Sequence, residues 1–183
     1  MFMEDKQTRR AKKEGYKARS VYKLIEINNK YNLIKKNDKV LDLGCWPGSW
    51  LQYCSKKCRE VIGVDKKKTK INNVKTYELD VFTDEVFNFG KFDVVLSDLA
   101  PNTSGNIEID QYKSYELSER AFEIAKKVLN KNGNFIVKIF QSGDSDKLLR
   151  EIKKNFKLAK AFKPKSSKSK SKEIYFVGLC YLE

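Results

Sequence analysis

Two hydrophobic patterns alternate along the chain: short apolar runs typical of buried strands, and stretches whose apolar residues recur at helical spacing. Strands are predicted at residues 39–43, 61–65, 74–79, 92–98, 134–140, 157–162 and 173–182. Helices are predicted at residues 20–27, 48–57, about 109–130 and 146–156. Ser20 is a candidate N-cap of the first helix, and Asn132 with Gly133 is expected to close the third.

This alternation predicts an α/β fold in which helices cover both faces of a mostly parallel sheet. Only a loop rich in lysine and serine, residues 163–172, separates the last two strands, so the final strand is expected to insert antiparallel. A length of 183 residues suits one hydrophobic core. We therefore predict a basic N-terminal segment at residues 1–18 and a single domain at residues 19–183.

Positive charge is concentrated at the two ends of the chain. The formal net charge is +14. The first 40 residues carry 12 basic and 5 acidic side chains and the last 40 carry 11 and 5, whereas the middle is nearly balanced. Two basic ends around a neutral body favour a polyanionic partner over a merely solvated basic surface. Nucleic acid is therefore the first partner to consider, and a monomer is the default oligomeric state.

The cysteine and histidine content argues against a bound metal. The chain has four cysteines and no histidine, and only Cys54 and Cys58 are spaced like metal ligands. Reduced thiols fit an intracellular protein, whether in the cytoplasm, the nucleus or an organelle such as the mitochondrion. The first residues do not resemble a signal peptide and no run of about 18 apolar residues occurs, so no membrane association is expected.

A glycine-bearing turn follows the first predicted strand, at the edge of the sheet where open α/β folds bind ligands. Its candidate ligand-contacting residues are Asp42, Gly44, Pro47, Gly48, Ser49 and Trp50. The dinucleotide fingerprint would need a glycine where Trp46 stands. A turn that contains Trp46 and Pro47 is a poor cradle for a pyrophosphate, which favours S-adenosylmethionine over a nicotinamide dinucleotide.

Two acidic residues follow the next strands and suit an adenosine group. Asp65 lies 21 residues after Gly44, at the end of the second strand, where a carboxylate can accept hydrogen bonds from both ribose hydroxyls. Asp80 can accept a hydrogen bond from an adenine amino group, with Val81 beside the ring. The turn and the two acids together indicate an adenosine-type cofactor.

Three further charged residues stand at strand ends that face the same crevice. Asp98 ends a hydrophobic strand and opens a turn-rich loop, and Glu173 begins the final strand. Lys138 lies in an almost wholly apolar strand, where an unpaired lysine is costly. A lysine buried against acids is either a structural ion pair or a catalytic group, and the spacing leaves both interpretations open.

The motifs resemble those of the FtsJ-like (RrmJ-type) ribose 2′-O-methyltransferases over about residues 17–182. The matching motifs are Arg19-Ser20-Val21-Tyr22-Lys23-Leu24, Val40-Leu41-Asp42-Leu43-Gly44 with Pro47-Gly48-Ser49-Trp50, Ser97-Asp98-Leu99-Ala100-Pro101-Asn102 with Ser104-Gly105, Phe135-Ile136-Val137-Lys138 and Ser169-Lys170-Ser171-Lys172-Glu173-Ile174-Tyr175. The chain departs from many members at Cys45-Trp46, where they have two alanines, and at Ser49, where glycine is common.

The resemblance implies a Rossmann-like methyltransferase with a seven-stranded sheet and a Lys-Asp-Lys-Glu catalytic tetrad. The tetrad falls on Lys23, Asp98, Lys138 and Glu173. The cofactor contacts fall on Gly48, Trp50, Asp65, Asp80 and Asp98. All four tetrad residue types are therefore kept in this chain.

The implied reaction is transfer of the methyl group of S-adenosylmethionine to a ribose 2′-hydroxyl of RNA, with S-adenosylhomocysteine as the product. Lys138 would act as the general base or would only orient the hydroxyl. The favoured substrate is a uridine in large-subunit ribosomal RNA; the anticodon loop of transfer RNA and the messenger-RNA cap are alternatives. A catalytically inactive RNA-binding relative and a nicotinamide-dependent reductase are the rival functions.

Overall fold

A computed structural model describes residues 5–168 and 171–183, which fold around one seven-stranded sheet. The strands are β1 Lys39–Leu43, β2 Glu60–Asp65, β3 Lys75–Glu78, β4 Phe92–Ser97, β5 Leu129–Phe140, β6 Phe156–Phe162 and β7 Glu173–Tyr181. The α-helices are α1 Lys6–Lys13, α2 Val21–Tyr31, α3 Ser49–Cys54, α4 Ile107–Val128 and α5 Ser145–Asn155, and a 3₁₀ helix spans Asp84–Phe89. Ser169 and Lys170 of the predicted loop, and the first four residues of the predicted N-terminal segment, lie outside the described residues.

The strand order is β3-β2-β1-β4-β5-β7-β6. Strands β1 to β5 pair in parallel, whereas β7 is antiparallel to both β5 and β6. The predicted mostly parallel sheet with an antiparallel last strand is confirmed. The chain leaves β1 in one direction for β2 and β3 and then returns to place β4 on the other side of β1. The carboxyl ends of β1 and β4 therefore form the switch point at which ligands of such sheets bind.

Alternating side chains along the strands pack in two hydrophobic layers, one on each face of the sheet. On β5, Phe135 and Val137 pack among residues of α4 and α5, whereas Ile136 packs in the layer that contains Leu24 of α2 and Leu51 of α3. Fully burying such a side chain contributes about 1.5–3 kcal/mol. Both faces of the parallel strands are covered, so the polar residues at their carboxyl ends stand at an exposed edge of a rigid core.

Three details of the predicted helices are wrong. Helix α3 ends at Cys54 rather than at residue 57, because the chain makes turns at residues 55–57. Helix α4 ends at Val128; the strand then begins with an irregular register, and Asn132 takes a left-handed backbone conformation (φ 64°) within β5 instead of closing the helix. Ser20 has helical backbone angles and does not cap α2; its hydroxyl lies 2.9 Å from that of Ser49.

Helix α1 lies within the basic N-terminal segment, where the hydrophobic pattern predicts no element. Asp5 caps it, because one carboxylate oxygen accepts hydrogen bonds from the backbone N–H groups of Gln7 and Thr8. Ala11 is its only buried residue within the described part of the chain. A helix that buries one alanine leaves no apolar periodicity in the sequence.

Candidate active site

Lys138 and Asp98 form a nearly buried ion pair at the carboxyl edge of the sheet. The register of β4 and β5 pairs Ser97 with Val137, which sets the next residue of each strand side by side. The Lys138 ammonium lies 3.1 Å from Asp98 Oδ1 and donates to the Asp98 backbone carbonyl at 2.7 Å. The Lys138 side chain is 7% exposed. A lysine in this apolar strand is tolerated because a carboxylate and a carbonyl accept hydrogen bonds from its ammonium group.

Lys23 and Glu173 form a second ion pair from α2 and the start of β7. Lys23 Nζ lies 2.6 Å from Glu173 Oε1, and both side chains are largely buried. The Ser167 hydroxyl donates to the same oxygen at 2.8 Å. Glu173 pairs with Phe140 in the β5–β7 register, two residues from Lys138, so the two ion pairs lie on one face of neighbouring strands. The predicted tetrad thus consists of two adjacent acid–lysine pairs.

Tyr175 is a member of this cluster that the sequence analysis missed. Its hydroxyl donates to Asp98 Oδ1 at 2.7 Å, and its ring lies 6.0 Å from that of Trp50 between centroids. Burial, followed by the nearby Asp98 carboxylate, raises the pKa of Tyr175 well above its usual value, so the hydroxyl remains a proton donor. Its position was predictable, because it follows Glu173 by two residues on the same strand and shares its face.

A cavity of about 450 Å³ opens beside Asp98, between the loops that follow β1, β2 and β4. Its wall includes Gly44, Trp46, Asp65, Val81, Asp98 and Asn102. The volume lies within the range of small-molecule sites. Asp98 belongs to the cavity wall and also contacts Lys138, so a ligand in the cavity would lie beside the ion-pair cluster.

Gly44 and Asp65 shape the cavity where β1 and β2 end. Gly44 has a left-handed backbone (φ 78°), and a Cβ there would approach Leu99 to 2.9 Å, so only glycine lets these two walls come this close. The Asp65 carboxylate accepts the backbone N–H of Trp46 at 2.9 Å and that of Lys67 at 2.8 Å. These bonds hold an acidic group at the wall, where each oxygen keeps a further lone pair for a ligand.

Asp80 is tied to the protein rather than directed into the cavity. Its carboxylate lies 2.8 Å from Lys66 Nζ and accepts the backbone N–H of Phe82 at 3.1 Å. The hydrogen bond from Lys66 lowers the pKa of Asp80. The wall beside it is formed by its neighbours Leu79 and Val81. The structure therefore places Val81 at the cavity and leaves Asp80 at its margin.

The other predicted cofactor residues form a layer beneath the cavity. Ser49 and Trp50 are buried at the start of α3, and the Trp50 indole N–H donates to the Ser20 carbonyl at 2.9 Å. Gly48 has φ 113°, and a Cβ there would meet Ile71 at 2.5 Å. Pro47 joins this layer to Trp46 through a cis peptide bond. These residues support the turn from within the protein, whereas the Trp46 side chain of the same turn lines the cavity.

Asp42 is completely buried within β1. Neither of its carboxylate oxygens has a hydrogen-bond partner among the residues that the structure describes. Burial raises the pKa of Asp42 well above its usual range, and the Asp98 and Asp65 carboxylates add to the effect. Burial thus favours the neutral form of the Asp42 carboxyl group.

Across residues 5–168 and 171–183, no group of three or more Cys, Asp or Glu side chains is arranged to hold a metal ion. The same residues contain no helix with the length and apolarity needed to cross a bilayer. All four cysteines carry free thiols, and burial raises the pKa of Cys58 to about 11. The Cys58 thiol is therefore protonated near neutral pH.

Comparison with known proteins places the chain in a family. Residues 16–181 match the FtsJ-like methyltransferase family. A ribosomal RNA large subunit methyltransferase E from Wolbachia pipientis is 42% identical, covering 98% of this chain and 97% of its own, and one from Borrelia garinii is 40% identical over 95% of each. The crystal structure of a ribosomal RNA methyltransferase from Plasmodium falciparum superposes with a TM-score of 0.80 at 34% identity, over 91% of this chain and 99% of that one. The chain belongs to the FtsJ-like methyltransferase family and is a methyltransferase.

Proposed function

We propose that this methyltransferase transfers the methyl group of S-adenosylmethionine to a ribose 2′-hydroxyl, and that the ribose belongs to a uridine in large-subunit ribosomal RNA. The observation that carries the proposal is the position of Asp98. It lines the large cavity and at the same time contacts Lys138, so the donor pocket and the charged cluster share one residue. A methyl donor in the cavity would therefore meet a hydroxyl held at the cluster.

The cavity fits an adenosyl donor without phosphates. Asp65 offers acceptors for ribose hydroxyls, Leu79 and Val81 offer an apolar surface for an adenine ring, and Gly44 keeps the pocket open between its walls. Trp46 occupies the position where a dinucleotide-binding turn has glycine. When bound, S-adenosylmethionine supplies an electrophilic methyl carbon on a sulfonium.

Lys138 and Asp98 would hold the attacking hydroxyl. The O2′ oxygen forms a bond to the methyl carbon, the carbon–sulfur bond breaks with its electron pair going to sulfur, and the O2′ proton is lost. The Tyr175 hydroxyl donates a hydrogen bond to the Asp98 carboxylate, and that carboxylate is paired with Lys138. The two contacts hold Asp98 and Lys138 in one orientation. Two roles are open to Lys138. It takes the O2′ proton as a neutral amine after losing one ammonium proton to solvent, or it stays protonated and donates a hydrogen bond that directs a lone pair of O2′ toward the methyl group while the O2′ proton leaves to solvent.

Lys23 and Glu173 would hold the ribose from the other side. Their ion pair is nearly buried, and Ser167 fixes the shared Glu173 oxygen. Glu173 can accept a hydrogen bond from a sugar hydroxyl, and Lys23 can donate one. Their role is to orient the 2′-hydroxyl relative to Lys138, since positioning supplies much of the acceleration of an in-line transfer.

The two basic ends of the chain meet beside this cluster. The Glu26 carboxylate on α2 accepts the backbone N–H groups of Lys165 and Ser166 at 2.6 and 2.9 Å. Arg19 donates to the Ser166 carbonyl and forms a 2.6 Å ion pair with Asp5, which caps α1. These contacts connect α1 and the 163–168 loop to the same helix that carries Lys23. They support one continuous basic surface for RNA phosphates.

The choice of ribosomal RNA rests on the relatives, two of which are named ribosomal RNA large subunit methyltransferase E. The experiment that tests it is transfer of tritium from labelled S-adenosylmethionine to large ribosomal subunits, taken from a strain that lacks this modification, and in parallel to bulk transfer RNA. Label is expected in one uridine ribose of the large-subunit RNA. Label in transfer RNA alone would replace the substrate, and label in a base would overturn the proposed 2′-hydroxyl chemistry.

Affinity for RNA is expected to fall steeply with salt, because phosphate contacts by lysine and arginine release counterions. Five such contacts give a slope of about −3.5 to −4.5 for log affinity against log salt concentration. The measurement is fluorescence anisotropy of a labelled RNA fragment between low and moderate ionic strength. Binding of adenosine, an uncharged fragment of S-adenosylmethionine, is the control and should respond little to salt. A flat response for RNA would contradict the basic-surface model.

Trp46 is expected to contact the bound donor. Its side chain is half exposed, lines the cavity, and carries the Lys67 ammonium 4.3 Å from its ring centroid. Replacing Trp46 with alanine is expected to weaken binding of S-adenosylhomocysteine by about 1 kcal/mol, roughly fivefold. Titration calorimetry measures this directly. Because Trp50 is buried, ligand-dependent tryptophan fluorescence should also disappear in Trp46→Phe, and equal affinities for wild type and Trp46→Ala would contradict the contact.

A further inference from the structure

A second, smaller cavity lies at the same edge of the sheet, outside the donor cavity. Its volume is about 160 Å³. It is lined by Ile107, Asp110, Gln111, Phe140, Ser171 and Lys172. The first turn of α4 forms one wall, and the segment just before β7 forms the other. We refer to it below as the α4 pocket.

Hydrogen bonds tie both walls of the α4 pocket to segments that adjoin the candidate active site. Asp110 accepts the backbone N–H and the hydroxyl of Ser104, at 2.7 and 2.9 Å, and Ser104 belongs to the loop that begins at Asp98. On the opposite wall Lys172 directly precedes Glu173, and its carbonyl accepts the Gln141 N–H at 2.8 Å. The pocket is therefore held in a fixed position beside the cluster.

Phe140 brings the pocket closest to the chemistry. It is the cross-strand partner of Glu173 and follows Lys138 by two residues on β5, so it shares their face of the sheet. An RNA strand whose target ribose lies between Lys138 and Glu173 would therefore pass beside Phe140, which belongs to the pocket wall.

The lining combines the groups that bind an unstacked nucleobase. Ile107, 57% exposed at the start of α4, and the half-buried Phe140 provide an apolar surface. Gln111 donates its amide N–H to the Gln141 carbonyl at 2.6 Å, which leaves its own carbonyl oxygen as an acceptor for a base N–H. Lys172 is exposed at the rim and supplies a cation for a phosphate. Proteins that read single-stranded RNA combine apolar stacking, base-edge hydrogen bonds and nearby cations in this way.

We propose that the α4 pocket binds the nucleobase of an RNA nucleotide adjacent to the methylated one. The proposal rests on the proposed function, because it needs an RNA strand whose target ribose lies at Lys138. RNA is favoured over a protein segment as the occupant because the rim carries Lys172 and the neighbouring 163–168 loop is rich in lysine. The pocket would hold the strand in register and so select the nucleotide that reaches the cluster.

Kinetics on pocket variants test the proposal. Ile107→Ser removes the apolar wall at an exposed position and is expected to raise the KM for protein-free large-subunit RNA fragments about five- to tenfold. The kcat at saturating RNA and the affinity for S-adenosylhomocysteine should stay within about twofold of wild type. Ile107→Phe restores an apolar surface and should return the KM to near the wild-type value. Leu158→Ala is the matched control. Leu158 is similarly exposed, but it lies near the start of β6 and pairs with the end of β7 that is away from Glu173.

Photocrosslinking provides a readout that does not depend on turnover. RNA carrying 4-thiouridine on either side of the target nucleotide is irradiated with the protein, and crosslinked residues are identified by mass spectrometry. Crosslinks within residues 107–111 or at Phe140 are expected. If wild type crosslinks there but transfers no methyl group, the proposed reaction fails while the base pocket stands. Crosslinks elsewhere together with an unchanged KM for Ile107→Ser would overturn the pocket while leaving the reaction intact. A KM defect seen with whole ribosomal subunits but absent with protein-free RNA would overturn it in favour of a ribosomal-protein contact.

Discussion

Replacing Lys138 with methionine is expected to lower the rate of methyl transfer by about 10²- to 10⁴-fold, the range associated with losing a positioned proton-transfer group. Methionine keeps much of the length and apolar volume of lysine, so the change removes the ammonium without opening a large cavity. Asp98 keeps its hydrogen bond from Tyr175, which limits the cost of its lost ion-pair partner. The measurement is single-turnover transfer of labelled methyl groups to the RNA substrate at saturating donor.

Lys138→Arg separates the two roles open to this residue. Arginine keeps a positive charge and donors that can orient a hydroxyl, but it does not deprotonate in proteins and so cannot act as a base. Activity well above that of Lys138→Met would indicate an orienting group, whereas equal loss in both variants would indicate a base. Lys131→Met, an exposed lysine on the same strand, is the control and should behave like wild type. Wild-type rates in Lys138→Met, with S-adenosylhomocysteine affinity unchanged, would contradict any catalytic role.

Three members of the tetrad, Asp98, Lys138 and Glu173, were predictable from their strand positions, whereas Lys23 was assigned only through the resemblance to the family. Asp98 and Lys138 lie side by side since β4 and β5 are adjacent and parallel, and Glu173 joins them because β7 runs antiparallel next to β5. The strand pattern and the order of elements are sufficient to place these three residues at one crevice, whereas their catalytic roles come from the family resemblance. The actual pairing, Lys138 with Asp98 and Lys23 with Glu173, depends on side-chain geometry that no spacing encodes.

Contacts made by single residues over long sequence distances could not be predicted. Glu26 holds backbone N–H groups about 140 residues away, and no periodic pattern marks a carboxylate that binds backbone. Helix α1 gave no signal because its buried surface is one alanine. The turn around Trp46 predicts a ligand without phosphates, yet only the structure shows that this ring lies at the cavity rather than in the core.

The position of Asp42 in the structure differs from the one that its predicted role requires. As a strand-end acid it is a natural candidate for a cofactor contact. In the structure it lies wholly inside the sheet, beneath the cavity that Asp65 and Asp98 line. An acid without a protein partner at such a site is tolerated only in its neutral form, because an isolated buried charge is far more costly. The charge state of Asp42 is therefore expected to change the free energy of unfolding more than the rate of methyl transfer.

Asp42→Asn is expected to stabilise the protein increasingly as the pH rises above about 3.9, the pKa of an aspartate in the unfolded chain. The folded-state pKa of Asp42 is raised by burial and by Asp98 and Asp65, whereas in the unfolded chain it is near 3.9. Between the two values the folded state retains a proton that the unfolded state releases, so wild-type stability falls by about 1.4 kcal/mol per pH unit through this one group. Asparagine binds no proton, and the variant lacks this dependence. Urea unfolding at a series of pH values measures the difference.

The pH dependence of that difference identifies the cause, since a change in packing or hydrogen bonding at residue 42 would shift both pH extremes equally. The free energy of unfolding of Asp42→Asn minus that of wild type should therefore grow with pH, whatever its value at pH 5. Asp84→Asn, in a side chain that is 85% exposed, is the control and should leave the wild-type pH profile unchanged. A constant offset for Asp42→Asn would mean that Asp42 ionises in the folded protein, and the carboxylate would then require a partner that the cavity ligand or its bound water supplies.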